Sequence, residues 1–161
     1  MTETLAAWVG PWAAFFGEHG AVSIGIAFLH VGGMLWGGGR AVTADLLTLR
    51  APSRERFLAD GQLGFLAASH RDVLRGLVVT AGSGILLFAA DLEHYIGAPT
   101  YWAKMGAVAV LLINGLFLRR LEAPLAAEGG EAAWAGARRH AGISLALWFV
   151  TLLLGLIVGE S

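Results

Sequence analysis

Residues 21–39 read AVSIGIAFLHVGGMLWGGG, a run of apolar and small residues that contains one ionisable side chain, His30. A membrane-spanning helix needs about 20 mostly apolar residues, because it rises about 1.5 Å per residue across about 30 Å of hydrocarbon. Three later stretches, at about 70–90, 101–118 and 141–158, have the same character. Inside hydrocarbon each backbone amide must be satisfied within its own segment, so all four stretches are predicted to be helices.

The composition agrees with a chain that lies mostly in a membrane. Of its 161 residues, 57% are hydrophobic and only 14% are charged, and the mean hydropathy is +0.67. These values lie outside the normal range of soluble domains. We therefore predict one all-α transmembrane domain over residues 1–161, an integral membrane four-helix bundle. The absence of cysteine excludes disulfides, thiolate metal sites and covalent c-type haem attachment.

A shorter apolar segment precedes the first span. Residues 5–16 read LAAWVGPWAAFF, which is too short to span a bilayer and is interrupted by Gly10 and Pro11. Its two tryptophans are typical of a helix that lies in the membrane interface. We predict an interfacial helix here, on the outer surface.

Charge is distributed unevenly between the connections, and this predicts the orientation. Arginines cluster between the first and second spans and again between the third and fourth spans, whereas the connection between the second and third spans and the two ends of the chain are mainly acidic. By the positive-inside rule both arginine-rich loops are cytoplasmic and both termini face outward. The expected location is a bacterial-type inner (plasma) membrane.

His30 is the first candidate for chemistry, because an ionisable side chain at membrane depth costs about 2.5–3.5 kcal/mol on insertion scales. Gly33 and Gly37 follow it on the same helical face. A neutral imidazole above a strip without side chains would suit haem b, since the nitrogen can bind iron and the porphyrin can lie against the strip. The alternative is that the glycines are a helix-packing face and that His30 is hydrogen-bonded to a neighbouring helix, for example to Ser83 or Thr80.

His70 and His140 begin the second and fourth spans and share a depth near the inner surface. They could face each other across a second haem or a metal ion, which makes His30, His70 and His140 the candidate metal ligands. The alternative is that both are interfacial anchors beside Arg71 and Arg139. Neither shares the depth of His30, so a haem at His30 would be five-coordinate, would take a ligand from a second subunit, or would require the helices to be offset.

Three further polar residues are candidates for cofactor binding. Lys104 and Arg40 could each neutralise a haem propionate, and Asn114 could hydrogen-bond across helices or hold a water. The alternative for Lys104 is that it extends outward to the headgroups, and for Arg40 that it is an ordinary interfacial arginine.

The stretch HVGGMLWGGGR at residues 30–40 resembles the first-helix signature of the HemJ-type membrane protoporphyrinogen oxidases, in which tryptophan, glycine and arginine follow a haem-ligating histidine. The pattern WAK at residues 102–104 resembles a lysine-bearing helix of that family and of CopD-like membrane proteins. The resemblance implies four spans, haem binding at His30 and, if the protein is an enzyme, a haem-dependent membrane oxidoreductase.

We therefore interpret the sequence as a b-type haem-binding membrane protein with a redox or electron-transfer role. The alternative is a non-catalytic accessory or scaffold subunit that docks a partner span through its glycine-rich helix. A small transporter or channel is a third hypothesis, against which the spans show neither matched broken helices nor an inverted repeat. The expected surroundings are the lipid bilayer with a second copy or a membrane redox partner, and no nucleic acid.

Overall fold

The computed structural model describes residues 2–160, with side chains for residues 7–159. These residues form helices and no strands, in the order α1 (Thr2–Glu18), α2 (Gly20–Arg50), α3 (Arg54–Ala59), α4 (Gln62–Ala90), α5 (Leu92–Gly97), α6 (Pro99–Arg120), α7 (Glu122–Ala126) and α8 (Glu131–Glu160). Four of them, α2, α4, α6 and α8, are long and apolar enough to cross a membrane. The prediction of an all-α bundle with four spans is confirmed, and the chain is a multi-pass membrane protein.

The spanning helices extend beyond the apolar stretches that identified them. α2 continues through the polar segment after Arg40 as far as Arg50, because no helix breaker occurs before Pro52. α4 and α8 begin eight and ten residues before the predicted starts at 70 and 141. The added turns carry charged side chains.

The segment predicted as an interfacial helix is helical, and α1 runs without a break through Pro11. It packs against α2 and α4, and the indole Nε1 of Trp12 donates a hydrogen bond to the carbonyl of Leu86 at 2.9 Å. Its location in the interface stays a prediction, as does the outward placement of the termini, whose last residues Met1 and Ser161 lie outside the described residues.

The packing order of the spans is set by α2 and α8. α2 lies against both α4 and α8, and α8 lies against α6. Large apolar side chains project from the outer faces of all four helices, as hydrocarbon requires, for example Phe28, Leu35, Val78, Ile113 and Leu153. The polar side chains that are buried within the spans are Asp45, Thr48, Ser69, Ser83, Asn114, Ser144 and Thr151.

One end of the bundle, here called the arginine end, contains the two connections at residues 51–61 and 121–130. The short helices α3 and α7 pack there on the spans, and Phe57 contacts Trp134 with ring centroids 5.1 Å apart. The buried core lies at this end and consists of Ala44, Ala51, Phe57, Leu66, Leu118, Leu125, Ala133, Trp134 and Ala137.

Arginine side chains join the connections at the arginine end. Nε of Arg54 donates to the carbonyl of Leu125 at 3.0 Å, and its guanidinium also donates to the carbonyl of Ala127. Arg138 donates to the carbonyl of Ala51 at 2.9 Å. The opposite end, here called the tyrosine end, contains the connection at residues 91–98.

Candidate functional site

Among the described residues, the cavities between the spanning helices include two that contain polar side chains. The larger, of about 360 Å³, opens toward the tyrosine end and is here called the histidine cavity, because His30 lines it. The smaller, of about 170 Å³, lies toward the arginine end and is here called the aspartate cavity, because Asp45 lines it. The histidine cavity contains two of the predicted site residues that bear polar side chains, His30 and Lys104.

The ring of His30 is fixed by α4. Its Nδ1 lies 2.9 Å from the carbonyl oxygen of Thr80 and 3.3 Å from the hydroxyl of Ser83. A carbonyl oxygen can only accept, so Nδ1 carries the proton and the neutral ring keeps its lone pair on Nε2. These partners are the two named by the packing alternative, and they also hold Nε2 ready to act as an acceptor or a ligand.

The glycine strip beside His30 is covered by α4. A Cβ atom on Gly33 would lie 2.7 Å from Oγ1 of Thr80, and a Cβ atom on Gly37 would lie 3.1 Å from the carbonyl of Val73. On α4, a Cβ atom on Gly76 would lie 2.6 Å from Cα of Gly37. The expectation of an open wall for a porphyrin along Gly33 and Gly37 is therefore wrong, because the two backbones approach as in small-xxx-small packing.

Lys104 points into the bundle. Its Nζ lies against α8, 3.5 Å from the position that a Cβ atom of Gly155 would occupy. The same cavity wall contains Thr151, whose buried Oγ1 has no hydrogen-bond partner among the described residues. The contact with α8 is opposite to the outward extension that the alternative for Lys104 predicts. An ammonium group, an imidazole and a hydroxyl therefore converge on one largely apolar cavity.

Aromatic rings form the wall at the tyrosine end of the histidine cavity. Phe88 stacks on Tyr101 with centroids 5.3 Å apart, and Tyr95 lies 5.4 Å from Tyr101. Burial, with a smaller contribution from Asp91, raises the pKa of the Tyr95 phenol above its usual value. Tyr95 is therefore a neutral hydroxyl at physiological pH and can donate a hydrogen bond to an anionic group at the rim.

The other predicted histidines have separate partners. Nδ1 of His70 lies 2.6 Å from Oε1 of Glu122 on α7. Nδ1 of His140 lies 2.7 Å from Oδ1 of Asn114, whose amide donates to the carbonyl of His140 at 2.9 Å. His140 also stacks on Phe117. The structure thus does not pair His70 with His140.

Arg40 lies outside the histidine cavity. Its Nε is 3.2 Å from Oδ2 of Asp72, and its guanidinium lies 4.5 Å from the ring centroid of Phe65. Over residues 2–160 no group of three or more His, Asp or Glu side chains is arranged to hold a metal ion. Of the residues predicted to bind a cofactor, His30, Gly33 and Lys104 line one cavity, whereas His70, Gly37, Arg40 and Asn114 do not line it.

Sequence reasoning missed Asp45, Thr151 and Met105, which line the two cavities. A signal for Asp45 was present, because the helical repeat of small inward residues that begins at Gly33 continues to Ala44. That repeat places Ala44, Asp45 and Thr48 on the bundle side of α2. Thr151 and Met105 gave no comparable signal.

No family model, curated protein sequence or solved structure matches the chain.

Proposed function

We propose that the chain binds one haem b in the histidine cavity, with Nε2 of His30 as an iron ligand, and has a redox or electron-transfer role at the membrane. The supporting observation is the hydrogen bond from Nδ1 of His30 to Thr80. Metal-ligating histidines usually donate their other ring N–H to a carbonyl or carboxylate. Within the described residues Nε2 makes no hydrogen bond, and the ring lines the cavity.

The side chains that line the histidine cavity are of the types that bind haem b. The walls of this cavity, which has a volume of about 360 Å³, are mostly apolar, as is usual for ligand and cofactor sites. Lys104 would pair with a propionate. Met105 lines the cavity from α6, so that a thioether, an accepted axial ligand, stands on a different helix from His30. When bound, the haem would supply one-electron chemistry.

Visible spectroscopy of the full chain, purified in mild detergent, tests this proposal. We expect a sharp Soret band and a reduced α band of b type, and we expect His30→Ala to abolish both. His19→Ala is the matched control, because His19 is exposed and its ring contacts Phe15 rather than the cavity. His70→Ala should also keep the bands. Bands that survive His30→Ala would refute the site.

The orientation is proposed together with the site. We propose that both arginine-rich connections are cytoplasmic in a bacterial-type inner membrane, which puts the histidine cavity on the outer side. The chain lacks cysteine, so single cysteines can be labelled without background. In intact cells a membrane-impermeant maleimide should react with Glu93→Cys and should not react with Glu128→Cys. The reverse labelling pattern would show that the chain has the opposite orientation in the membrane.

The second candidate function is a non-catalytic accessory subunit. The glycines of α2 that pack against α4 are not accessible to a partner protein. In contrast, Gly25, Gly32 and Gly39 recur every seven residues on α2 and have open space beside them. Such a face could pack against another span. A colourless purified protein whose oligomeric state is lost on Gly32→Leu would favour this candidate over haem binding.

A further inference from the structure

The aspartate cavity contains a carboxylate that the haem proposal does not use. Asp45 is 2% exposed, and its Oδ2 is buried without a hydrogen-bond partner among the described residues. Ser144 on α8 lines the same cavity. His70 and Arg119 also line the cavity, but neither lies within ion-pair distance of Asp45, and His70 is already paired with Glu122.

Because Asp45 is a single carboxylate, a proton is better suited to neutralise it than a divalent metal ion is. An ionised carboxylate buried without a partner is strongly unfavourable. Divalent ions need several oxygen ligands, and the residues described here include no cluster of acidic side chains around Asp45. A proton needs only the one unpartnered oxygen. Ionisable groups inside membrane bundles commonly serve as proton relays.

The aspartate and histidine cavities share part of their walls. Leu77, Leu111 and Trp148 line both of them. A Cβ atom on Gly38 would lie 3.0 Å from the ring of Trp148, so the indole is held against α2. Apolar constrictions of this kind close a path by excluding water from it.

Polar groups continue on the other side of this constriction. On α8, Ser144, Trp148 and Thr151 are spaced at i, i+4 and i+7, which places them on one helical face. Thr151 lines the histidine cavity with its unpartnered hydroxyl, together with Lys104 and His30. The bundle interior therefore alternates polar, apolar and polar from the arginine end to the tyrosine end.

From this arrangement we propose that the bundle conducts protons between its two ends, with Asp45 as the proton-accepting group and Trp148 as the gate. A proton binds the Asp45 carboxylate to give a neutral carboxyl group. When water enters the constriction, the proton passes to that water and on to the histidine cavity, and Asp45 returns to the carboxylate. One positive charge moves per cycle, and an imposed electrochemical gradient drives it. The proposal is independent of haem.

The test uses the purified full chain in phosphatidylethanolamine and phosphatidylglycerol vesicles that contain a pH-sensitive dye. A potassium diffusion potential set by valinomycin drives protons inward. We expect acidification faster than in protein-free vesicles, a fall to the protein-free rate for Asp45→Asn, and retention for Asp45→Glu. Asp72→Asn is the matched control, because Asp72 pairs with Arg40 and lines neither cavity.

If the gate stays closed in vesicles, the parent protein will show no proton flux, and the variant Trp148→Ala, which lacks the gating indole, then provides the test. It should raise the proton flux, and Asp45→Asn in that background should abolish the increase. Two outcomes would overturn the proposal: flux in Asp45→Asn equal to that of the parent, or no flux above protein-free vesicles in either the parent or Trp148→Ala. Gel filtration and helix content of each variant verify folding, and the visible spectrum of the same preparations reports separately on haem.

Discussion

The two ends of the bundle are built differently. At the arginine end, Phe57 is 1% exposed and Leu125 is fully buried, and Arg54 bridges to carbonyls of the other connection. At the tyrosine end the helices leave a cavity of about 360 Å³, in which the hydroxyl of Thr151 is buried without a hydrogen-bond partner. We infer that the arginine end mainly stabilises the bundle and that the tyrosine end keeps space for a ligand.

The largest effect is expected from emptying the core of the arginine end. Phe57→Ala removes a ring that packs on Trp134, and it should lower the free energy of unfolding by about 3–5 kcal/mol. Phe149→Ala is the matched control, because Phe149 is 60% exposed on the outer face of α8 and its loss should matter by about 0.5 kcal/mol at most. Denaturant titration in detergent measures both free energies of unfolding. If the two variants were destabilised equally, the buried core at the arginine end would contribute no more to stability than the outer face of α8.

Arg54→Met should have the next largest effect. It leaves the carbonyls of Leu125 and Ala127 without their charged donor, which should destabilise the protein by about 1.5–3 kcal/mol. Arg56→Met on the same short helix is the control, since Arg56 makes an exposed pair with Asp60 that is worth about 0–1 kcal/mol. If the two variants unfold alike, Arg54 does not join the connections energetically.

Gly76→Ala tests the contact between α2 and α4 that the two ends share. The new methyl group would meet backbone atoms of Gly37 at 2.6 Å, so overpacking should destabilise the bundle by about 1–3 kcal/mol. Gly82→Ala, on the same helix but with open space around it, should cause no loss. Thermal unfolding in detergent compares them, and a neutral Gly76→Ala would mean that the helices can separate freely.

The smallest effect on stability is expected at the tyrosine end. Thr151→Val replaces an unpartnered buried hydroxyl with a group of the same shape, so stability should stay the same or rise. Thr48→Val is the contrast at the other end, because the Thr48 hydroxyl donates to the carbonyl of Ala44 at 2.9 Å and its loss should destabilise by about 0.5–1.5 kcal/mol. A clear loss for Thr151→Val would indicate that the hydroxyl has a structural partner.

The sequence alone was sufficient for the number and helical nature of the spans, because the length of an apolar run and the need to satisfy backbone amides depend on no tertiary contact. It also placed His30 in the first span and named Thr80 and Ser83 as alternative partners. The pattern could not decide between a glycine face that receives a cofactor and one that receives a helix. That choice depended on Gly76, which lies on another element.

The pairing of the remaining site residues was beyond the sequence for a related reason. Counting residues gives the depth of a side chain along a helix but not its direction around the axis relative to neighbouring helices. His70 and His140 therefore had the same expected depth, yet the first contacts Glu122 and the second contacts Asn114. Glu122 lies on α7, a short helix that could not be predicted from the periodicity of apolar residues in the sequence.

The most direct test of the central claim is a haem titration of His30→Gly with and without added imidazole. We expect the parent to bind one haem per chain and the variant to lose the b-type bands. Free imidazole entering the vacated space should restore those bands, while glycine in the helix interior should lower the free energy of unfolding by about 1 kcal/mol. Full haem binding by His30→Gly without imidazole would contradict the assignment of the iron ligand.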